Sequence, residues 1–292
     1  MTSAVAARAL RGGMGRFAPL VRGAASVRAA VGARPPLARA LAVGARGIVD
    51  SESVGTVTRV DKEHWSRFMF GLERQLLLHV VTTAQEGDVA SVLSAMDSFW
   101  AQSFASAGTD SWSIRGDIID RVIREKAPKR CLEIGTYCGY SALRIAQNLP
   151  EGSILVSVEV DPLFAAIATK VVEHAGLDAK VKILMGTVES KVKRISECLA
   201  GSGSSEGPVD FILCDHSKEL FVPDLRSLEA EGVVGPGTTV MGDTTVYPGE
   251  ASQSGGQNLL SYFAAHPQYR VQEHIGTEAL NGITVSEWVH LP

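Results

Sequence analysis

The first 49 residues contain no aspartate, glutamate or lysine, yet they hold eight arginines. With those set apart, the rest of the chain carries 20 basic against 32 acidic side chains, so a formal charge of −4 hides a body at −12. An acidic body repels phosphates, which argues against non-specific nucleic-acid binding. No run of 18 apolar residues occurs, so nothing in the chain reads as a transmembrane anchor. Cysteine is scarce. Cys131, Cys138, Cys198 and Cys214 share no metal-ligand spacing, and the expectation is buried thiols in a reducing compartment rather than a zinc site. Also missing are the G-x-S-x-G element of serine hydrolases, the G-x-G-x-x-G turn of dinucleotide enzymes and any repeat period.

The basic leader, taken as residues 1–60 and free of acid through residue 49, is rich in Ala, Arg and Gly and is interrupted by Pro19 and Pro35-Pro36. Two readings stay open. Lack of acid fits an organellar transit segment, for a mitochondrion or plastid; few serines and helix-breaking prolines fit a disordered tail or a misassigned start in a cytoplasmic protein.

What is present, 45% hydrophobic residues, suffices for a sizeable core over 61–292. Trp65, Phe68, Met69, Leu72, Leu76 and Val80 recur at helical spacing over 64–81. A second helix is expected over 89–104, capped by Asp88 after Gly87, and a third over 115–126, stopped by Pro128. Together they form a helical extension over 61–127. From Lys129 a βα rhythm begins, with strands at 131–134, 154–160, 181–185, 211–214 and 238–241 and helices at 141–147, 162–174, 188–199 and 222–231. Apolar strands joined by helices suit a parallel sheet covered on both faces. The stretches 201–207 and Gly255-Gly256 read as flexible surface connections. Residues 269–275 and 283–289, joined around Asn281-Gly282, read as an antiparallel strand pair. The fold class is therefore α/β, Rossmann-like, with a mostly parallel sheet.

Ligands in such sheets bind beyond the carboxyl ends of the strands. Glu133, Glu159, Asp161, Asp215 and Asp243 all fall at or beside those ends. The first turn reads E-x-G-x-x-x-G-x-S from Glu133 to Ser141, a spacing that suits an adenosyl ligand without a pyrophosphate. Glu159, 24 positions after Gly135, is placed to accept from both hydroxyls of a ribose. Asp215 and Asp243 end adjacent strands, and two facing carboxylates call for a positive charge between them; oxygen-only ligands favour Mg²⁺. Lys218 is the candidate base, since burial and a nearby cation ease loss of an amine's proton. His216 lies beside the site, where it would touch the cofactor or orient the loop.

With those residues in place, LEIGTYCGYS at 132–141, VEVDP at 158–162, CDHSK at 214–218 and GDTTVYPG at 242–249 resemble the catechol O-methyltransferase family, in order and spacing. GDVASVL at 87–93 and RGDIIDRVIREKAP at 115–128 resemble its N-terminal helices. The resemblance begins weakly near Gln75. It implies a seven-stranded class I methyltransferase domain using S-adenosyl-L-methionine and Mg²⁺, in a monomer or weak dimer. It implies further that Ser111, Glu133, Tyr137, Ser141, Glu159, Gly186, Val188, Asp215 and His216 hold the cofactor. Asp215, Asp243 and Thr244 occupy the family's metal-ligand positions and Lys218 that of its base. The expected reaction is methyl transfer to one hydroxyl of a small-molecule catechol. Thr244 stands where the family usually has Asn, Ser217 replaces an aromatic wall, and Val188 replaces a polar residue; the late substrate glutamate aligns with Glu273 or Glu278. Ser217 motivates a second reading, a transferase for bulkier vicinal diphenols such as caffeoyl or flavonoid compounds. A third is a cofactor-binding protein of weakened catalysis, and NAD-linked oxidoreduction shares the architecture without its glycine fingerprint.

Overall fold

The computed structural model describes residues 71–103, 111–200, 207–243, 254–275 and 283–288. The leader, Trp65, Phe68 and Met69, most of the 201–207 connection, Thr244, Pro248-Gly249, Glu278 and Asn281-Gly282 lie outside them. The chain runs α1 (Leu72–Thr83), α2 (Val89–Ser103), α3 (Ser111–Lys126), β1 (Arg130–Ile134), α4 (Tyr140–Asn148), β2 (Ile154–Glu159), α5 (Pro162–His174) and β3 (Val181–Met185). It continues with α6 (Val188–Ala200), β4 (Phe211–Cys214), a single 3₁₀ turn (Lys218–Leu220), α7 (Phe221–Ala230), β5 (Thr239–Asp243), α8 (Ser254–Ala265), β6 (Tyr269–Ile275) and β7 (Ile283–Trp288).

Seven strands form one sheet in the order β3-β2-β1-β4-β5-β7-β6. The first five are mutually parallel; β7 runs antiparallel to both β5 and β6, so β6 returns to the common direction. The central strands are buried along their whole length, and alternation of side chains sorts them into two cores. Cys131, Leu155, Phe211, Leu213 and Met241 point to the face covered by α1 to α5. Leu132, Val156, Ile212, Cys214 and Val240 point to the face covered by α6 to α8.

The helices form where apolar spacing asks for them. Leu76 and Val80 of α1, Val92, Met96 and Trp100 of α2, and Ile119, Val122 and Ile123 of α3 are buried against the first face. Asp88 caps α2 through Oδ1, which accepts from the amides of Ala90 and Ser91. Asp161 caps α5 in the same way, with Pro162 in its first turn. One expectation fails: Gly255-Gly256 is no flexible interruption but lies in the first turn of α8. The helix cost of glycine, about 1 kcal/mol per residue, is offset by burial of Leu259 and Phe263 four positions apart. All four cysteines are free, and three are buried as expected; Cys198 is half-buried.

Helix α3 is clamped to α4 by charge as well as by its apolar face. Arg144 reaches Asp117 at 2.7 Å and Asp120 at 3.0 Å. The guanidinium lies so close to Gly116 that a Cβ there would sit 2.6 Å from its Cζ. A second close approach ties the sheet to the site: Gly135, at φ +95°, would place a Cβ 2.5 Å from the carbonyl oxygen of Asp215. Gly135→Ala must therefore both strain the backbone and push the chain leaving β4 away. A stability loss of at least about 1–3 kcal/mol from the strained conformation alone is expected in denaturant unfolding. An unchanged midpoint and slope would contradict the close approach.

Candidate active site

Beyond the carboxyl ends of β1, β2, β4 and β5 the acidic residues gather as the topology requires. Asp215 follows β4 and Asp243 ends β5, and because Cys214 pairs with Gly242 the two aspartates leave the sheet side by side. Their carboxylates converge on one atom. Nη2 of Arg115 lies 2.6 Å from Oδ2 of Asp215 and 2.6 Å from Oδ2 of Asp243. The two oxygens are therefore no farther apart than twice that distance. Arg115 and Asp243 are buried and Asp215 is about one-quarter exposed. Burial and the neighbouring Asp243 push the Asp215 carboxyl above its ordinary range, against the pull of Arg115 and Lys218. Lys218, half-buried in the 3₁₀ turn, is thus within electrostatic reach of Asp215. Among the described residues no group of three or more His, Cys, Asp and Glu side chains is arranged to hold a metal ion.

Glu133 sits on the α1-to-α5 side of β1, fully buried. Its Oε2 accepts from Ser157 Oγ at 2.5 Å, and that hydroxyl lies 2.5 Å from Thr136 Oγ1. Oε1 has no hydrogen-bond partner, although Ser141, in the first turn of α4, is close enough to favour the charged form. Burial wins, and the carboxyl is raised to about 7. Glu159, at the end of β2, accepts from the amide of Tyr137 at 2.7 Å and from that of Asp161 at 2.8 Å, one on each oxygen. Burial raises its carboxyl too, and those two amides oppose the shift. The amide of Val160 opposes it as well.

Tyr137 has a positive φ of 49°, and its hydroxyl donates to Glu73 at 3.1 Å while its ring meets Trp100 and Phe164. Val188 is buried in the second core with Ile195 and Leu199. His216 turns toward α7: Nε2 is 3.1 Å from Asp224 Oδ2, without hydrogen-bond geometry, and the ring packs on Phe221. Gly186 donates its amide to the carbonyl of Glu159 at 2.8 Å, and a Cβ would strike Ser190 and Lys191. Ser111 opens α3. Glu273 is engaged by Arg121 at 2.6 Å, and Thr244 and Glu278 lie outside the described residues.

Arg115 is the site residue that sequence reasoning missed. A signal was there: a cation near the N-terminal end of a helix opposes the helix dipole and needs an acidic partner to hold it. The hollow between Arg115, Gly116, Ile119, Tyr140, Ser141 and Asp215 is about 10 Å³, room for about one water molecule.

Residues 109–252 match a family described as O-methyltransferase. The chain is 33% identical over 207 residues to the catechol O-methyltransferase of Bos taurus, an alignment covering 68% of this chain and 72% of that protein. To the transmembrane O-methyltransferase homolog of Mus musculus it is 33% identical over 204 residues, covering 70% and 74%. No helix among the described residues is long and apolar enough to cross a membrane. The O-methyltransferase from Bacillus cereus, solved with SAH, shares the fold with a TM-score of 0.52 at 21% identity, over 73% of this chain and 90% of that one.

Glu133 makes a testable contribution to stability. In the unfolded chain its proton leaves near the ordinary value of 4.5, whereas in the fold it is held to about 7. Between those values the unfolded state binds fewer protons, so stability falls as pH rises and the loss is complete above the folded value. The loss is on the order of 3 kcal/mol. Glu133→Gln should therefore gain stability relative to the parent between pH 4.5 and 7 and hold that gain above it. Denaturant unfolding at pH 4, 6 and 8 checks this, and a difference constant across the three would refute it.

Proposed function

Because this chain belongs to the class I S-adenosylmethionine-dependent O-methyltransferases and is related to the catechol O-methyltransferases, we propose that it moves a methyl group from S-adenosylmethionine to one hydroxyl of a catechol in a Mg²⁺-dependent reaction. The observation that carries this reading is the convergence of Asp215 and Asp243 on one cationic point, with Lys218 near enough to act on the charge of Asp215. Two hard carboxylate oxygens bracketing a single cation are a donor set suited to Mg²⁺. Asp215 and Asp243 would hold the ion, with Thr244 as a third oxygen donor.

The chain's own groups divide the remaining work. Glu133, with Oε1 unpartnered, would meet the ammonium of the cofactor's methionine end, and Ser141 would bind beside it. Glu159 would take the ribose hydroxyls on its carboxylate oxygens. Ser111, Tyr137, Gly186, Val188 and His216 would shape the walls, Tyr137 and Val188 through the packing of their neighbours. Lys218 would accept the proton from the hydroxyl that becomes the nucleophile, and Asp215 would keep that ammonium close afterwards. S-adenosylmethionine, when bound, supplies a methyl on a positively charged leaving group, and a divalent ion, when bound, supplies charge that favours an ionised acceptor. Alignment of donor and acceptor is the larger part of what the protein provides.

Ser217 leaves the acceptor side with a small, half-buried side chain, which favours a second reading in which bulkier vicinal diphenols are the substrates. Labelled-methyl transfer to a panel of small and large diphenols, with and without Mg²⁺, separates the readings. Small catechols methylated only with the metal support the first, and strong preference for large acceptors supports the second. Lys218→Ala should lower kcat by about 10²-fold or more, the usual scale of general-base loss. Undiminished turnover in that variant would remove the lysine from the mechanism.

A further inference from the structure

Resting on the metal-dependent reading above, we infer that Arg115 is a built-in rival of the divalent cation: guanidinium and metal are alternative occupants of the space between Asp215 and Asp243, and metal binds by displacing the arginine.

Geometry makes the two exclusive. Nη2 is already 2.6 Å from an oxygen of each carboxylate. A magnesium ion, which sits about 2.0–2.1 Å from its oxygens, would have to take nearly the same position if bonded to both. Arg115 is also held on a firm base. Its helix is clamped by Arg144 to Asp117 and Asp120, and by Ile119, Val122 and Ile123 to the core. The helix therefore stays while the side chain moves.

Both states of the carboxylate pair are thereby provided for. Without metal, Asp215 and Asp243 are kept from bare repulsion by a buried cation that the fold supplies itself. With metal, that cation is redundant and must leave. The bridging arginine also walls the hollow of about 10 Å³ that it shares with Ser141. Its departure enlarges the space beside the residue placed at the cofactor's methionine end. The apparent metal affinity is then the intrinsic affinity reduced by the fraction of molecules in which the carboxylates are open.

The test is binding, not turnover. Mn²⁺, a paramagnetic stand-in for Mg²⁺, is titrated by electron paramagnetic resonance into the full chain, into Arg115→Ala and into Arg115→Gln; the glutamine variant serves if alanine does not fold. Thermal midpoints are recorded with and without Mg²⁺. Removing the rival should tighten Mn²⁺ binding at least about tenfold. The metal-free variants should melt lower than the parent and gain more from Mg²⁺ than it does, because the metal then relieves a pair that has lost its bridging guanidinium. Equal or weaker Mn²⁺ binding in both variants overturns the rivalry and leaves the metal-dependent reading standing. Absence of Mn²⁺ binding in parent and variants alike overturns both.

Discussion

Two carboxylates released side by side from neighbouring parallel strands repel in a confined space unless a cation or a shared proton relieves them, and the architecture around the site answers to that constraint. The register of β4 on β5 places Asp215 and Asp243 together. Arg115 then brings one guanidinium nitrogen to both, from a helix that belongs to neither strand. That helix can serve only because Arg144 and an apolar face fix it to α4 and the sheet. Breaking such a buried set by removing one member costs more than the set contributes when complete, since the partners left behind stay buried.

The same economy of space governs the turn after β1. Backbone from two strands passes within touching distance at Gly135, where no side chain fits. Close passage lets the acids of β1, β2 and β4 face one another across a small volume, and their carboxyls respond. Glu133 and Asp215 are both raised by burial, each opposed by a different set of neighbours. Glu159 is raised by burial as well, opposed by main-chain amides that donate to it. A site built this way is short of positive charge, which is the electrostatic condition a cationic cofactor and a divalent ion would relieve.

Much of the fold was legible because its cause is local. Strand parity in Cys131-Leu132 and Phe211-Ile212-Leu213-Cys214 assigns residues to two cores without reference to anything distant. Asp88 and Asp161 announce helix starts, and Pro128 announces a stop. The glycines at 255 and 256 misled because composition was read without the burial that follows: Leu259 and Phe263 anchor a helix that glycine alone would oppose. Within the site, the meeting of Asp215 with Asp243 followed from strand adjacency. The turning of His216 toward Asp224 and of Tyr137 toward Glu73 did not, because each depends on a partner from another element.

By itself, then, the order of residues determined the βα rhythm, the two-faced core, the acidic rim at the strand ends and the family to which the chain belongs. The first three rest on periodicity or on spacing within a few dozen residues, and the family on motifs that resemble those of known members. Only the tertiary structure decided that Arg115 closes the carboxylate pair, that Glu133 retains an unpartnered oxygen and that Gly135 is hemmed in by Asp215. Those facts arise from contacts between segments up to a hundred or more residues apart, whose distances no local pattern encodes.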